Sequence, residues 1–168
     1  HHPIEYQNHI FDQLMEAGKE FGLKPYGIRA MNSLRVEKSY KLVGTELSIE
    51  YSPYESGLDR FVHPNKGDFI GRAALDKWRA KGFSNKLVTM EIHGITDADV
   101  LGNNPIYDNG SVVGRATSGD FGFRLNKSIA LGMVKPELAK VGQKLKIDIL
   151  GKMHEASIVE ESPYDSEN

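Results

Sequence analysis

The chain has 168 residues, 39% of them hydrophobic and 26% charged, with a formal net charge of −2. This is the balance of an ordinary globular protein of one domain or two small ones, and it offers no general attraction to nucleic acid or to an anionic membrane. No apolar run is long enough to span a bilayer, and with no cysteine there can be no disulfide, thiolate metal site or cysteine nucleophile.

The chain opens His1-His2-Pro3 without a methionine. It reads as a fragment of a longer protein or as the remnant of a tag, and its polar start has no signal-peptide pattern. Tyr6, Ile10, Leu14 and Ala17 or Phe21 recur every three to four residues, which predicts an amphipathic helix over residues 5–21, with Gly22 as its stop. A second helix is predicted over 27–38, with Ile28, Met31 and Leu34 on one face and the charged pair Arg35 and Glu37 off it. Residues 41–60 read as irregular to extended. Asp68-Phe69-Ile70-Gly71 opens a third helix, with Ala74, Leu75 and Trp78 facing inward, that closes at Lys81-Gly82.

Beyond residue 82 the period shortens from about 3.6 to 2. Val88, Met90 and Ile92 share one face of a strand over 86–93, and Leu145, Ile147 and Ile149 share one face of another over 144–150. Asn109-Gly110 joins strands 105–108 and 111–113 as a hairpin. Residues 128–134 and 156–160 supply further strands. About six short strands with tight turns predict a small antiparallel barrel or sandwich, and the period change places a boundary near 82–86. Residues 160–168 read as a polar tail.

Five strings carry a resemblance over nearly the whole chain. Leu34-Arg35-Val36-Glu37, the Pro53 to Leu58 turn, Asp68 to Gly71, Val113 to Gly119 and Ser128 to Val134 stand in the order and spacing of the glycine-cleavage T-protein (aminomethyltransferase) family. Leu150-Gly151-Lys152 and the ending from Glu161 to Asp165 look like dimethylglycine and sarcosine dehydrogenases, long flavoproteins with a T-protein-like module at their C-terminal end. The resemblance implies an α+β fold. Residues 1–84 would be the C-terminal portion of the folate-binding domain, and residues 85–168 a small antiparallel six-stranded β-barrel.

The resemblance also implies a site. Glu37 matches the glutamate that holds the pterin ring of tetrahydrofolate, and a carboxylate suits that task because it accepts two parallel N–H bonds from an amidine-like edge. Tyr40 is a candidate for stacking on the pterin. His63 and Lys66 lie where the family places a basic folate contact, although the local string departs from the pattern and a solvated loop is the plainer reading. Tyr51 and Tyr54 are half-wet tyrosines on the simplest view, and Arg35 reads as an ion-pair partner tying its helix to neighbours. The family's catalytic aspartate belongs to an N-terminal half that has no counterpart here, so no catalytic residue is assigned. Asp120-Phe121-Gly122 lacks the other kinase motifs. His154-Glu155 lacks the second histidine of a zinc helix, and no dinucleotide-binding glycine motif is present.

The expected cofactor is therefore tetrahydrofolate, with FAD confined to an upstream module. The expected partners are the N-terminal half of the folate domain, a flavin module of the same polypeptide and a methylated amine. A second copy of the chain is a further candidate to cover the helices of residues 5–38. The expected compartment is the cytoplasm, or the mitochondrial matrix in a eukaryote. Two alternatives stay open: a glycine-cleavage aminomethyltransferase fragment, and a folate-binding or assembly module without catalysis.

Overall fold

The computed structural model describes residues 1–95 and 97–167. The chain divides into one unit over residues 1–31 and a second from Asn32 onward. In the first, α1 (Gln7–Gly18) is followed by a 3-10 turn over Lys19–Phe21. Gly22 stops it at φ 68°, with Leu23 N donating to Gly18 O and Gly22 N to Lys19 O, which satisfies the terminal carbonyls. A side chain at position 18 would collide with Leu23, so Gly18 is what lets that leucine fold back. The apolar stripe of α1 is present, but none of its residues is buried; Phe11 and Leu14 are each more than half exposed.

Helix α2 (Ile28–Glu37) leaves its apolar face uncovered, as expected of helices that need a partner. Its apolar residues Ile28, Met31 and Leu34 face solvent, whereas Ser33, Arg35, Val36 and Glu37 are buried. The reason is polar bonding to the barrel: Asn32 Nδ2 donates to Gly119 O and to Asp120 Oδ2, and Ser33 Oγ donates to Phe121 O. Helix α3 (Arg72–Lys81) starts just after Gly71 and ends at Gly82, both at positive φ. Leu75 and Trp78 are half-buried, but Ala74, expected to face inward, is exposed.

Six strands then close a barrel: β1 (Lys86–Ile92), β2 (Pro105–Asp108), β3 (Ser111–Gly122), β4 (Lys127–Val134), β5 (Lys144–Ile149) and β6 (Lys152–Val159). The order around it is β1-β4-β3-β2-β5-β6, with β6 returning to β1, and every pairing is antiparallel. The fold is thus α+β, helices followed by a closed six-stranded antiparallel barrel. Closure leaves no sheet edge to pair with a stranger. Val88, Met90, Ile92, Ile106, Leu145 and Ile147 are among the residues that fill its interior, as the alternation predicts.

Strand β4 is buried on both faces. Ala130 and Val134 belong to the barrel interior, and the alternating Ile129, Leu131 and Met133 are equally inaccessible. The C-terminal half of α2 and the segment after it cover the outer face here, bonding to the two strands that flank β4. Besides the α2 contacts to β3, Ser39 Oγ shares a hydrogen bond with Thr89 Oγ1, and Leu87 N donates to Glu55 O. Strand β3 is longer than the sequence reading, which ended it at 113. It carries a bulge, because Ala116 pairs with Gly132 and Ser118 with Leu131, leaving Thr117 as the extra residue.

Two hairpins turn on residues with positive φ, Asn109-Gly110 at 47° and 79°, and Leu150-Gly151 at 52° and 79°. A leucine in that region is strained by its Cβ, where asparagine is at ease. Leu150 is also 79% exposed, so it gains little from burial. Leu150→Asn is therefore expected to stabilise the chain by roughly 1 kcal/mol, read as a higher denaturant midpoint with unchanged slope; an unchanged or lower midpoint contradicts this account of the turn.

Candidate functional site

Glu37 is the last residue of α2 and only 1% exposed. Its Oε1 accepts the backbone N–H of Arg124 at 2.7 Å and of Leu125 at 3.3 Å, in the turn between β3 and β4. The carboxylate thus caps the turn by accepting two of its backbone amides. Gly122 makes room for it: a Cβ there would lie 2.9 Å from Glu37 Cγ and 3.0 Å from Oε1. The main chain of Glu37 is engaged too, its carbonyl accepting Tyr164 N at 3.0 Å. Arg124 Nη1 donates to the Tyr164 hydroxyl at 2.9 Å, and the guanidinium lies 5.0 Å from that ring's centroid.

The C-terminal segment is therefore not a free polar tail. Ser162 N donates to Ser39 Oγ, Ser162 Oγ donates to Lys38 O, and Lys38 Nζ donates to Asp165 O. Tyr164, Arg124 and Gly122 thereby join Glu37 as neighbours that the sequence reading missed. The signal for Gly122 lay in a six-residue stretch with two glycines, Ser118 to Phe123, but its partner 85 positions away cannot be read from a single chain.

The other residues singled out from sequence do not gather around Glu37. Tyr40 is 60% exposed and lines an open hollow of about 500 Å³ with Lys38, Lys41, Arg60 and Glu161, where Lys41 Nζ pairs with Glu161 at 2.6 Å. His63 caps a short 3-10 turn, Pro64–Lys66, and both His63 and Lys66 are exposed. Lys66 Nζ sits 4.7 Å from the centroid of the Phe69 ring. Tyr51 accepts the Arg115 guanidinium at its hydroxyl, and Tyr54 stands beside Phe83 with ring centroids 5.5 Å apart. Among the described residues no group of three or more His, Asp or Glu is placed to hold a metal.

A second buried carboxylate was not singled out at all. Glu46 is fully inaccessible. Ser118 Oγ donates to its Oε1 at 2.5 Å; Leu42 N at 2.8 Å and Thr45 Oγ1 at 2.7 Å donate to its Oε2. Arg35 Nη1 lies 3.8 Å from Oε2, so the ion pair expected of Arg35 exists. Arg35 also donates from Nε to Asn32 Oδ1 and from Nη1 to Tyr40 O. Burial lowers the Arg35 pKa, opposed by the charges of Glu46 and Asp120.

Burial by itself would raise the Glu46 pKa, but hydrogen bonding from Ser118, Leu42 and Thr45 outweighs it and holds the carboxyl below its ordinary value. A depressed folded value means that the unfolded chain binds more protons in acid. The Glu46 contribution is thus complete above its ordinary 4.5 and is lost as pH falls through the folded value. Glu46→Gln is expected to be less stable than the parent at pH 7 and to close that gap progressively below about pH 4.5, in denaturant melts at each pH; a gap that stays constant down to pH 3 would contradict this.

Against known proteins, the model of the glycine cleavage T-protein C-terminal barrel domain matches residues 85–165, and that of the GCVT N-terminal domain matches residues 1–66. The chain is 40% identical over 153 residues to the mitochondrial dimethylglycine dehydrogenase of Homo sapiens, covering 90% of this chain and 18% of that protein. It is 39% identical over 156 residues to the aminomethyltransferase of a Synechocystis strain, covering 92% of this chain and 41% of that one. It therefore spans less than half the length of these relatives. The crystal structure of the glycine cleavage system aminomethyltransferase T from Bartonella henselae superposes with a TM-score of 0.83 over 98% of this chain and 45% of its own, at 23% identity, which shows a shared fold. The chain belongs to the glycine-cleavage T-protein family.

Proposed function

We propose that this chain is the tetrahydrofolate-binding part of a one-carbon transfer module, with residues 1–84 ending the folate-binding domain and residues 85–168 forming its barrel domain. The observation that carries the reading is the seat of Glu37. A carboxylate has about four acceptor positions. The Arg124 and Leu125 amides take Oε1, so Oε2 would be the oxygen offered to the N–H groups of a pterin edge, in place of a parallel pair that uses both oxygens. Held on one side by backbone and fenced by Gly122, the carboxylate has a fixed direction, which is what orientation of a bound ring requires.

Tetrahydrofolate would supply the nitrogen that accepts a one-carbon unit. This chain would bind and orient it, with Tyr164 and Arg124 beside Glu37 as further wall residues. Tyr40, His63 and Lys66 are secondary contacts in this reading. They stand on exposed surface, where a cation meets the anionic glutamate end of a folate more readily than its pterin. The catalytic groups would come from the portion of the longer protein that precedes the chain. The same portion would cover the apolar faces of α1 and α2, whose side chains Phe11, Leu14, Ile28 and Leu34 are exposed.

The likeness to dimethylglycine dehydrogenase favours a parent enzyme that oxidises an N-methylated amine at a flavin in another module and delivers the carbon to folate as 5,10-methylenetetrahydrofolate. The aminomethyltransferase relatives support a second reading with the same folate site and a different one-carbon donor. A third rests on the 1% exposure of Glu37, which also suits a purely structural cap of the β3–β4 turn.

Calorimetric titration with tetrahydrofolate separates these roles for Glu37. Glu37→Gln keeps one acceptor oxygen but removes the charge from hydrogen bonds worth about 1.5–3 kcal/mol, so affinity is expected to fall roughly 10- to 100-fold. A variant that folds and binds as tightly as the parent would assign Glu37 to the turn alone. Absence of binding both by this chain and by one extended with its preceding sequence would overturn the folate reading.

A further inference from the structure

Glu46 holds together the two segments that carry the proposed folate contacts, and both of its carboxylate oxygens are already taken by protein donors. Its carboxylate takes Ser118 of β3, the Leu42 amide and the Thr45 hydroxyl, and faces Arg35 of α2. Its backbone carbonyl takes Ser56 Oγ at 2.8 Å, which adds the turn after residue 52. Arg35 stands two residues before Glu37, and its own carbonyl accepts the amides of Lys38 and Tyr40, while its guanidinium holds the Tyr40 carbonyl. The end of α2 is therefore tied at both main chain and side chain to an arginine whose charge faces Glu46.

The barrel side of this arrangement is as specific. The β3 bulge at Thr117 shifts the register just before Ser118, so Ser118 aims outward at the Glu46 carboxylate. Four residues further, the same strand reaches Gly122, which receives Glu37. One strand thus holds the serine that grips Glu46 and the glycine that admits Glu37. A shift of Glu46 along β3 would be passed to Glu37 through α2, which is a rigid helix over these few residues.

We infer that Glu46, with Ser118 as its partner on β3, is a positioning residue for the proposed folate site: its buried carboxylate sets the place of Glu37 and Tyr40 through Arg35. The functional half of this inference rests on the folate reading above; the geometric half does not. Removing the charge while keeping the volume, as in Glu46→Gln, leaves Arg35 facing an uncharged group and turns one acceptor into a donor opposite donors.

The test is amide hydrogen exchange by NMR on the 168-residue chain, with tetrahydrofolate titration beside it. In the parent, the Arg124 and Leu125 amides are held by Glu37 and report its place, while the Ile147 amide, in the barrel wall at β5, reports global stability. In Glu46→Gln, exchange at Arg124 and Leu125 is expected to speed at least tenfold more than at Ile147, which registers only the loss of global stability, and the tetrahydrofolate Kd to rise about tenfold. Ser118→Ala, which removes one donor and no charge, should do the same to a smaller degree and decides the matter if Glu46→Gln does not fold. Unchanged protection at Arg124 and Leu125 overturns the inference. So does an equal loss at Ile147, which would show Glu46 to be merely structural. Absence of folate binding both by this chain and by one extended with its preceding sequence, alongside selective loss of protection, would sink the folate reading and leave the positioning role standing.

Discussion

The arrangement of this module depends on how a charged group can be buried at the join between a helix and a barrel. Taking a carboxylate and a guanidinium out of water is costly, and their attraction offsets that only when the remaining donors and acceptors are also met. At the Glu46 carboxylate they are met by three segments at once, α2, the loop before Glu46 and strand β3, and a fourth, the turn at Ser56, holds the backbone carbonyl of Glu46. None of the four could move alone without stranding a polar group. That constraint explains why α2 lies with Arg35 and Glu37 inward although its apolar residues point elsewhere. In this join, polar satisfaction sets the register and hydrophobic packing follows it.

The barrel contributes a frame of a different kind. Its interior is apolar and closed, and its outer face under α2 is nearly as well buried, so β4 has no solvent side. Glycines on β3 permit the close approaches this needs. A Cβ at Gly119 would come within 2.9 Å of the Val100 carbonyl oxygen, and one at Gly122 would strike Glu37. The candidate site is therefore not a pocket in the barrel but a seam along its outside, where one helix end, one strand turn and the C-terminal segment meet. A site of that kind is completed by whatever packs against it, in keeping with a chain that spans less than half of the relatives it matches.

How much of this could be read in the sequence differs by element. The strands of the barrel were legible because alternation is a local signal: Val88, Met90 and Ile92, and again Leu145, Ile147 and Ile149, declare their inner face within seven residues. Helices were legible as helices for the same reason, and Gly22 and Gly82 as their ends. The uncovered apolar face of α2 was legible too, but the polar bonds by which Asn32 and Ser33 fix its other face on the barrel were not, because periodicity reports only where apolar residues lie. The full length of β3 was hidden by its bulge and its run of Thr, Ser, Gly and Asp, which has no apolar alternation to follow. Glu37 stood out only through a family string. Glu46, Arg124 and Tyr164 stood out through nothing local, since their meaning lies in bonds that cross 40 to 130 positions of chain. The family string proposes the residue, and the geometry shows what holds it.

The central claim is that the seat of Glu37, and not the exposed basic loop, receives the pterin of tetrahydrofolate. A 15N-labelled chain titrated with tetrahydrofolate tests this most directly, because the Arg124, Leu125 and Tyr164 amides are bonded to Glu37 itself. The account predicts saturable shifts centred on those three amides, with His63 and Lys66 affected less. Shifts confined to residues 63–66, or saturable binding that leaves Arg124, Leu125 and Tyr164 unmoved, would contradict it.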